Sequence, residues 1–180
     1  MVVDEKTEVY MESLFNDVPL YVYESILFIF CVSVILLLIY RGKESAKGIF
    51  RLLFIEYLFL IFCSTVLFRE TKDVRKYEFI PFWSYERADL FPEIVMNVVV
   101  FVPVGLLFGV AFKKMKWLSV LLSGICISVS IEILQLLLKR GFAEVDDVTH
   151  NTSGCAIGFG VYSLIKYGYE KVSKRSMVVL

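Results

Sequence analysis

The chain is short of several things. It has one histidine, His150, and no CxxC pair among Cys31, Cys63, Cys126 and Cys155. All four cysteines lie in apolar segments and read as buried free thiols, in a spacing that resembles no metal site. Net charge is also lacking: 19 basic residues balance 19 acidic ones, so no nucleic-acid partner is indicated. The opening stretch, "MVVDEKTEVYMESLFND", has no basic n-region of a signal peptide, so the first apolar run is expected to stay as an anchor. There is no internal repeat and no low-complexity tract.

What the chain has is apolar mass. Of its 180 residues, 58% are hydrophobic and 16% aromatic, against about 45–50% apolar in a soluble domain. That composition reads as an integral membrane protein, all-α, a polytopic bundle of about five transmembrane helices. The spans fall at roughly 20–40, 49–68, 93–112, 117–138 and 147–167, each near the ~20 residues that cross ~30 Å of hydrocarbon. The organisation that follows is an extracytoplasmic segment 1–19, two helices over 20–68, a three-helix core over 69–167 and a tail 168–180. Pro92 suits the first position of the third span and Gly141 a C-cap after the fourth.

Loop charge sets the expected orientation. Segments 41–51 and 113–116 and the tail from Lys166 hold 11 of the 19 basic residues, while the N-terminus and the loops 69–93 and 139–146 hold most of the acids. The positive-inside rule then puts the C-terminus in the cytoplasm and the N-terminus outside the cell.

In that orientation polar groups from separate spans gather in the outer leaflet: Arg69, Asn97, Glu132, Gln135, Asp146, Asp147 and Asn151. At about 1.5 Å per residue, Glu132 lies about 9 Å below the end of its span at Leu138. Helical spacing puts Ser128, Glu132 and Gln135 on one stripe, Asp147, Asn151, Gly154 and Gly158 on a second, and Asn97, Phe101, Gly105 and Gly109 on a third. Small residues let helices approach closely in lipid, so the glycines, with Pro103, mark packing faces. A carboxylate within the bilayer costs about 2.5–3.5 kcal/mol at mid-depth on insertion scales, so it is normally paired or faces a wet cavity. Arg69 is the expected counter-ion of Glu132, with Asp146 or Asp147 as a rival partner.

Two readings of this cluster stay open. Glu132 serves as polar glue, bonded to Asn97 and Gln135 to fix the packing, or the residues line a ligand-binding or catalytic pocket. Asp146 and Asp147 also suit a helix start, where the dipole favours acids. No cofactor is called for, the one alternative being a divalent cation near Glu144, Asp146 and Asp147. His150 reads as solvated, with no serine or cysteine obviously paired to it. The loop "YEFIPFWSYERADLFPEI" (77–94) reads as an interfacial aromatic belt, as a lid over the polar cluster, or as both.

At these residues the chain resembles the VanZ-like family of bacterial membrane proteins. The likeness runs from "LFRET" (67–71) through "IPF" (80–82), "NVVVFVPVGLLFG" (97–109), "IEILQ" (131–135), "FAEVDD" (142–147) and "NTSGCAIG" (151–158). The chain departs at Glu144, where the family more often has aspartate, and at Lys139–Arg140 before Gly141. The resemblance implies a role at the bacterial cell envelope, since the family takes its name from a protein linked to resistance to the glycopeptide teicoplanin. It implies no defined reaction. An outward pocket would take membrane lipids, a lipid-linked wall precursor or the lipoglycopeptide itself. The alternatives are an intramembrane enzyme acting on such a lipid and a non-catalytic scaffold.

Overall fold

A computed structural model describes residues 45–112 and 115–178. The first expected span, 20–40, and the segment 1–19 lie outside the described residues. Four helices form the body: α1 (Ser45–Phe62), α2 (Phe91–Ala111), α3 (Trp117–Leu138) and α4 (Val145–Val178). Two-residue strands β1 (Tyr77–Glu78) and β2 (Ala143–Glu144) pair in parallel, Tyr77 with Ala143 and Glu78 with Glu144.

Among the described residues three stretches are long and apolar enough to cross a membrane: Lys47–Leu67, Ala88–Ala111 and Trp117–Leu138. They coincide with the second, third and fourth expected spans. The fifth lies inside α4, a helix of 34 residues, about 51 Å at 1.5 Å per residue. Its stretch between charged ends is diluted by His150, Asn151, Gly154, Gly158 and Gly160. Those residues face protein: His150, Asn151, Gly154 and Gly158 are all buried.

The helix surfaces are inverted relative to a soluble bundle. On α3 the exposed residues include Leu118, Leu122, Ile125, Val129, Ile133 and Leu137, while Ser128, Glu132 and Gln135 are buried. On α1, Leu52, Ile55 and Phe59 are exposed. Such apolar stripes fit lipid, and large exposed patches on a soluble monomer would be a liability.

Glycine brings α2 and α4 together as the most extensive helix pair. A Cβ at Gly105 would run into the Cys155 carbonyl, one at Gly154 into the Val98 carbonyl, and one at Gly158 into the Val102 carbonyl. The contact is thus backbone to backbone, and it needs small residues on both helices. Between them lie Phe101, Val104, Phe108, Cys155 and Phe159, all buried. Pro103 sits inside α2 and is half-buried. Proline removes the N–H that would serve the carbonyl four residues back. In the same turn the Tyr57 hydroxyl donates to the Val100 carbonyl at 2.9 Å, tying α1 to α2.

The helix ends differ from local expectation at two places. Helix α3 ends on Lys139, which has φ 57°, and the Lys139 and Arg140 amides both donate to the Gln135 carbonyl. That is a Schellman cap with lysine where glycine is usual. Gly141, expected as the cap, comes two residues later and has its own positive φ of 93°. Helix α1 runs into a π-helical turn, Cys63–Leu67, whose wider ring leaves the Phe68 amide bonded to the Cys63 carbonyl.

The close contact makes a prediction. Gly158→Val should lower the stability of the detergent-solubilised protein by about 3 kcal/mol or more, since overpacking of a tight core costs about 1–3 kcal/mol and backbone cannot move aside. Gly48→Ala, with nothing within 4 Å of the added methyl, should hold stability or raise it slightly. Thermal unfolding of both variants checks this.

Candidate functional site

The described polar residues gather at the end of the bundle formed by the loops 68–90 and 139–144. The two loops are zipped by backbone. The Lys72 amide donates to the Lys139 carbonyl at 2.7 Å, the Ala143 amide to the Lys76 carbonyl at 3.1 Å, and Thr71 and Arg140 form an antiparallel bridge. Side chains finish the join: Arg140 donates to the Leu67 carbonyl and Lys139 Nζ to the Asp73 carbonyl.

Asp146, in the first turn of α4, is 2% exposed. It does not merely cap its own helix. One carboxylate oxygen accepts the Phe82 amide at 2.6 Å, and the other accepts the Ser84 amide at 3.1 Å and the Ser84 hydroxyl at 2.6 Å. Burial pushes its carboxyl up, but the Ser84 hydroxyl and the two amides prevail, so it sits below the ordinary aspartate value. Phe82 has φ 66°, a left-handed conformation held by that amide bond. The aromatic segment 77–91 is therefore a clasp over the helices. Its rings Tyr77, Phe79, Phe82, Tyr85 and Phe91 are exposed.

Beneath the clasp Asn97, Asn151, Glu132 and Gln135 each bond a residue of another element. Asn97 Nδ2 donates to Asp147 Oδ1 at 2.7 Å, joining α2 to α4. Asn151 Nδ2 donates to the Ser128 hydroxyl at 2.8 Å, joining α4 to α3. Glu132 Oε2 accepts the Glu144 amide at 2.9 Å, fixing the start of α4 against α3. Gln135 Nε2 donates to the Thr65 carbonyl at 3.0 Å, serving the open end of the π-helical turn.

Several expectations change here. Glu132 does not bond Asn97 or Gln135. Arg69 is not its contact ion pair; the guanidinium lies over Gly141 beside Gln135, where a Cβ on residue 141 would come within 2.7 Å of it. It acts on Glu132 only through space. His150 is not solvated: it is 3% exposed, with Nε2 3.0 Å from the Tyr85 hydroxyl and Nδ1 3.9 Å from Asp147 Oδ1. Its neighbours Asp147 and Asn151 face inward on the same helix, so burial of that turn was a usable signal. The Trp83–Glu144 bond, 3.2 Å, joins residues that no helical spacing relates.

Glu144 is 6% exposed. Burial pushes its carboxyl up to about 8, helped by the charges of Asp147 and Glu93 and opposed by the Trp83 indole. Among the described residues, no three His, Cys, Asp or Glu side chains sit where they could hold a metal ion. Among the described residues, four buried polar atoms in and beside the network have no hydrogen-bond partner: Gln135 Oε1, His150 Nδ1, Asn151 Oδ1 and Thr152 Oγ1.

A helical membrane protein with a clasped polar network at one end of its bundle is the class that fold and site define. A model of the VanZ/LLP1 family matches residues 26–166, and the chain belongs to that family. Protein VanZ of Enterococcus faecium is 28% identical over 133 residues, 68% of this chain and 76% of that protein. No solved structure matches the chain.

The titration of Glu144 yields a prediction. Its folded value, about 8, lies above the ordinary 4.5, so the folded state favours the neutral acid. The stability this contributes is complete below about 4.5 and is lost as pH rises through about 8. Thermal midpoints in detergent should fall across that window, and Glu144→Gln should flatten the fall, with Trp83 emission as a second readout. An equal slope in the variant would contradict the assignment.

Proposed function

We propose that the clasped end of the bundle faces the outside of a bacterial cell and holds the polar head of an envelope amphiphile. The ligand is a lipid-linked wall precursor or a lipoglycopeptide, and the effect is altered susceptibility to teicoplanin. The bundle has about five spans, with the N-terminus outside and the C-terminus in the cytoplasm. The excess of basic residues in the segments 41–51 and 113–116 and in the tail from Lys166 supports that orientation.

The observation that carries the binding role is the unpartnered set Gln135 Oε1, Asn151 Oδ1, Thr152 Oγ1 and His150 Nδ1. A buried polar atom without a partner costs about 1–3 kcal/mol, so such atoms are usually served by water or ligand. Hydroxyls and amides of a sugar-rich headgroup supply the missing partners, and Arg69 offers a cation for its phosphate or carboxylate. Acyl chains lie along the exposed stripe of α3.

A second reading, an intramembrane enzyme acting on such a lipid, draws on one specific arrangement. Asp147, His150 and the Tyr85 hydroxyl follow one another at 3.9 and 3.0 Å, with Tyr85 exposed above the network. In that reading His150 moves a proton to or from Tyr85, and Asp147, held by Asn97, steadies the imidazole.

In a host where the wild type raises teicoplanin resistance, Glu132→Ala at matched protein level should abolish most of the protection. Unchanged susceptibility would count against the site. Turnover of a labelled polyprenyl-phosphate lipid by the purified protein, lost in His150→Gln, would favour the enzyme over simple binding.

A further inference from the structure

A second site lies at the other end of the bundle. There α2 has ended, α3 begins and α4 passes through its later turns. They line a surface-open cavity of about 420 Å³, within the roughly 300–1,000 Å³ typical of small-ligand pockets. Its chemistry is unlike that of the clasped end. Lys116 and Lys166 line it and are exposed, alongside Tyr162, Trp117, Phe159 and also Ser163, whose hydroxyl donates to the Phe159 carbonyl at 2.8 Å. Among the described residues no carboxylate lines it.

The cavity is shaped by ring placement. Gly109 lets the Tyr162 ring lie directly on α2, where any Cβ would enter the ring. Gly160 lets Trp117 approach α4, its ring edge 3.4 Å from where a Cβ would be. Trp117 then meets Phe159 edge to face at 5.0 Å, and Phe159 meets Tyr162 at 5.8 Å. Helix α3 adds to the positive field. Its first turn contains no acid and Lys116 makes no side-chain cap, so the positive end of its dipole is not neutralised by a carboxylate of its own first turn.

We propose that this cavity binds the phosphate headgroup of an anionic lipid in the leaflet opposite the clasp. Lys116 and Lys166 bracket the phosphate, the Tyr162 hydroxyl donates to it, and the first methylenes of an acyl chain lie against Trp117 and Phe159. Basic pockets between membrane helices hold such headgroups through charge that a zwitterionic lipid cannot match. The arrangement would make the clasped end and this end dependent on different amphiphiles, with α4 running from one to the other.

Trp117 is a built-in probe, since the only other tryptophan, Trp83, is at the clasped end. The full chain carrying Trp83→Phe is placed in nanodiscs of phosphatidylcholine doped with brominated phosphatidylglycerol or with brominated phosphatidylcholine. Trp117 emission should be quenched at a mole fraction of the glycerol lipid roughly tenfold lower, and Lys116→Gln with Lys166→Gln should erase the difference. Native mass spectrometry of the unmutated chain should likewise show retained phosphatidylglycerol that the double variant loses. Equal quenching by the two lipids, no quenching by either, or a preference that survives the double variant would each overturn the proposal. Displacement by millimolar glycerol 3-phosphate would overturn the lipid source and assign the lysines to a soluble phosphate ester. The two lipids and the lysine variants are compared in one Trp83→Phe background, and mass spectrometry uses the unmutated clasp, so failure of the clasped end's proposed function leaves the test intact.

Discussion

Everything at the clasped end depends on Asp146. A buried carboxylate that accepts two amides and a hydroxyl from one short segment fixes both position and backbone conformation of that segment. With segment 82–84 held there, Trp83 reaches Glu144 and Tyr85 reaches His150. The carboxylate tolerates burial because three donors replace its lost water, the condition under which buried charge is stable. Removing it would leave those donors without their acceptor and free the loop from α4.

The clasp works only because the helices beneath it are in register. Glycine against backbone carbonyl sets α2 against α4, and that spacing puts Asn97 opposite Asp147. Ser128 to Asn151 and Glu132 to the Glu144 amide do the same for α3 and α4. In lipid there is no hydrophobic drive between helices, so close small-residue packing and a few interhelical hydrogen bonds must fix the arrangement. Both are present here: the glycine contacts run along the α2–α4 seam and the hydrogen bonds lie at its clasped end. The molecule is also chemically two-ended: acids, amides and an imidazole under the clasp, lysines and aromatic rings at the opposite cavity.

Much of this was readable from the residues in order. The apolar runs located α1, α2 and α3, Pro92 marked the start of α2, and the stripes of Ser128, Glu132, Gln135 and of Asn151, Gly154, Gly158 face inward. Those features are periodic and local. Partner choice was not readable. Asp146 binds residues more than sixty positions away, β1 pairs with β2 across a similar gap, and Gln135 serves a carbonyl exposed by a π-helical turn. None of these leaves a periodic trace. The expected Glu132–Arg69 pair failed for the same reason: a backbone amide, invisible in any charge pattern, occupies the carboxylate. Lys139 could take the left-handed cap because two amides converge on the Gln135 carbonyl, which left Gly141 to accommodate Arg69.

Amide hydrogen exchange of residues 82–86, followed in the intact chain and in Asp146→Ala, tests the central claim most directly. The Phe82 and Ser84 amides should be protected in the intact chain and exchange freely in the variant, while α2 keeps its protection. Fast exchange in the intact chain, or protection that persists without the Asp146 carboxylate, would contradict the account.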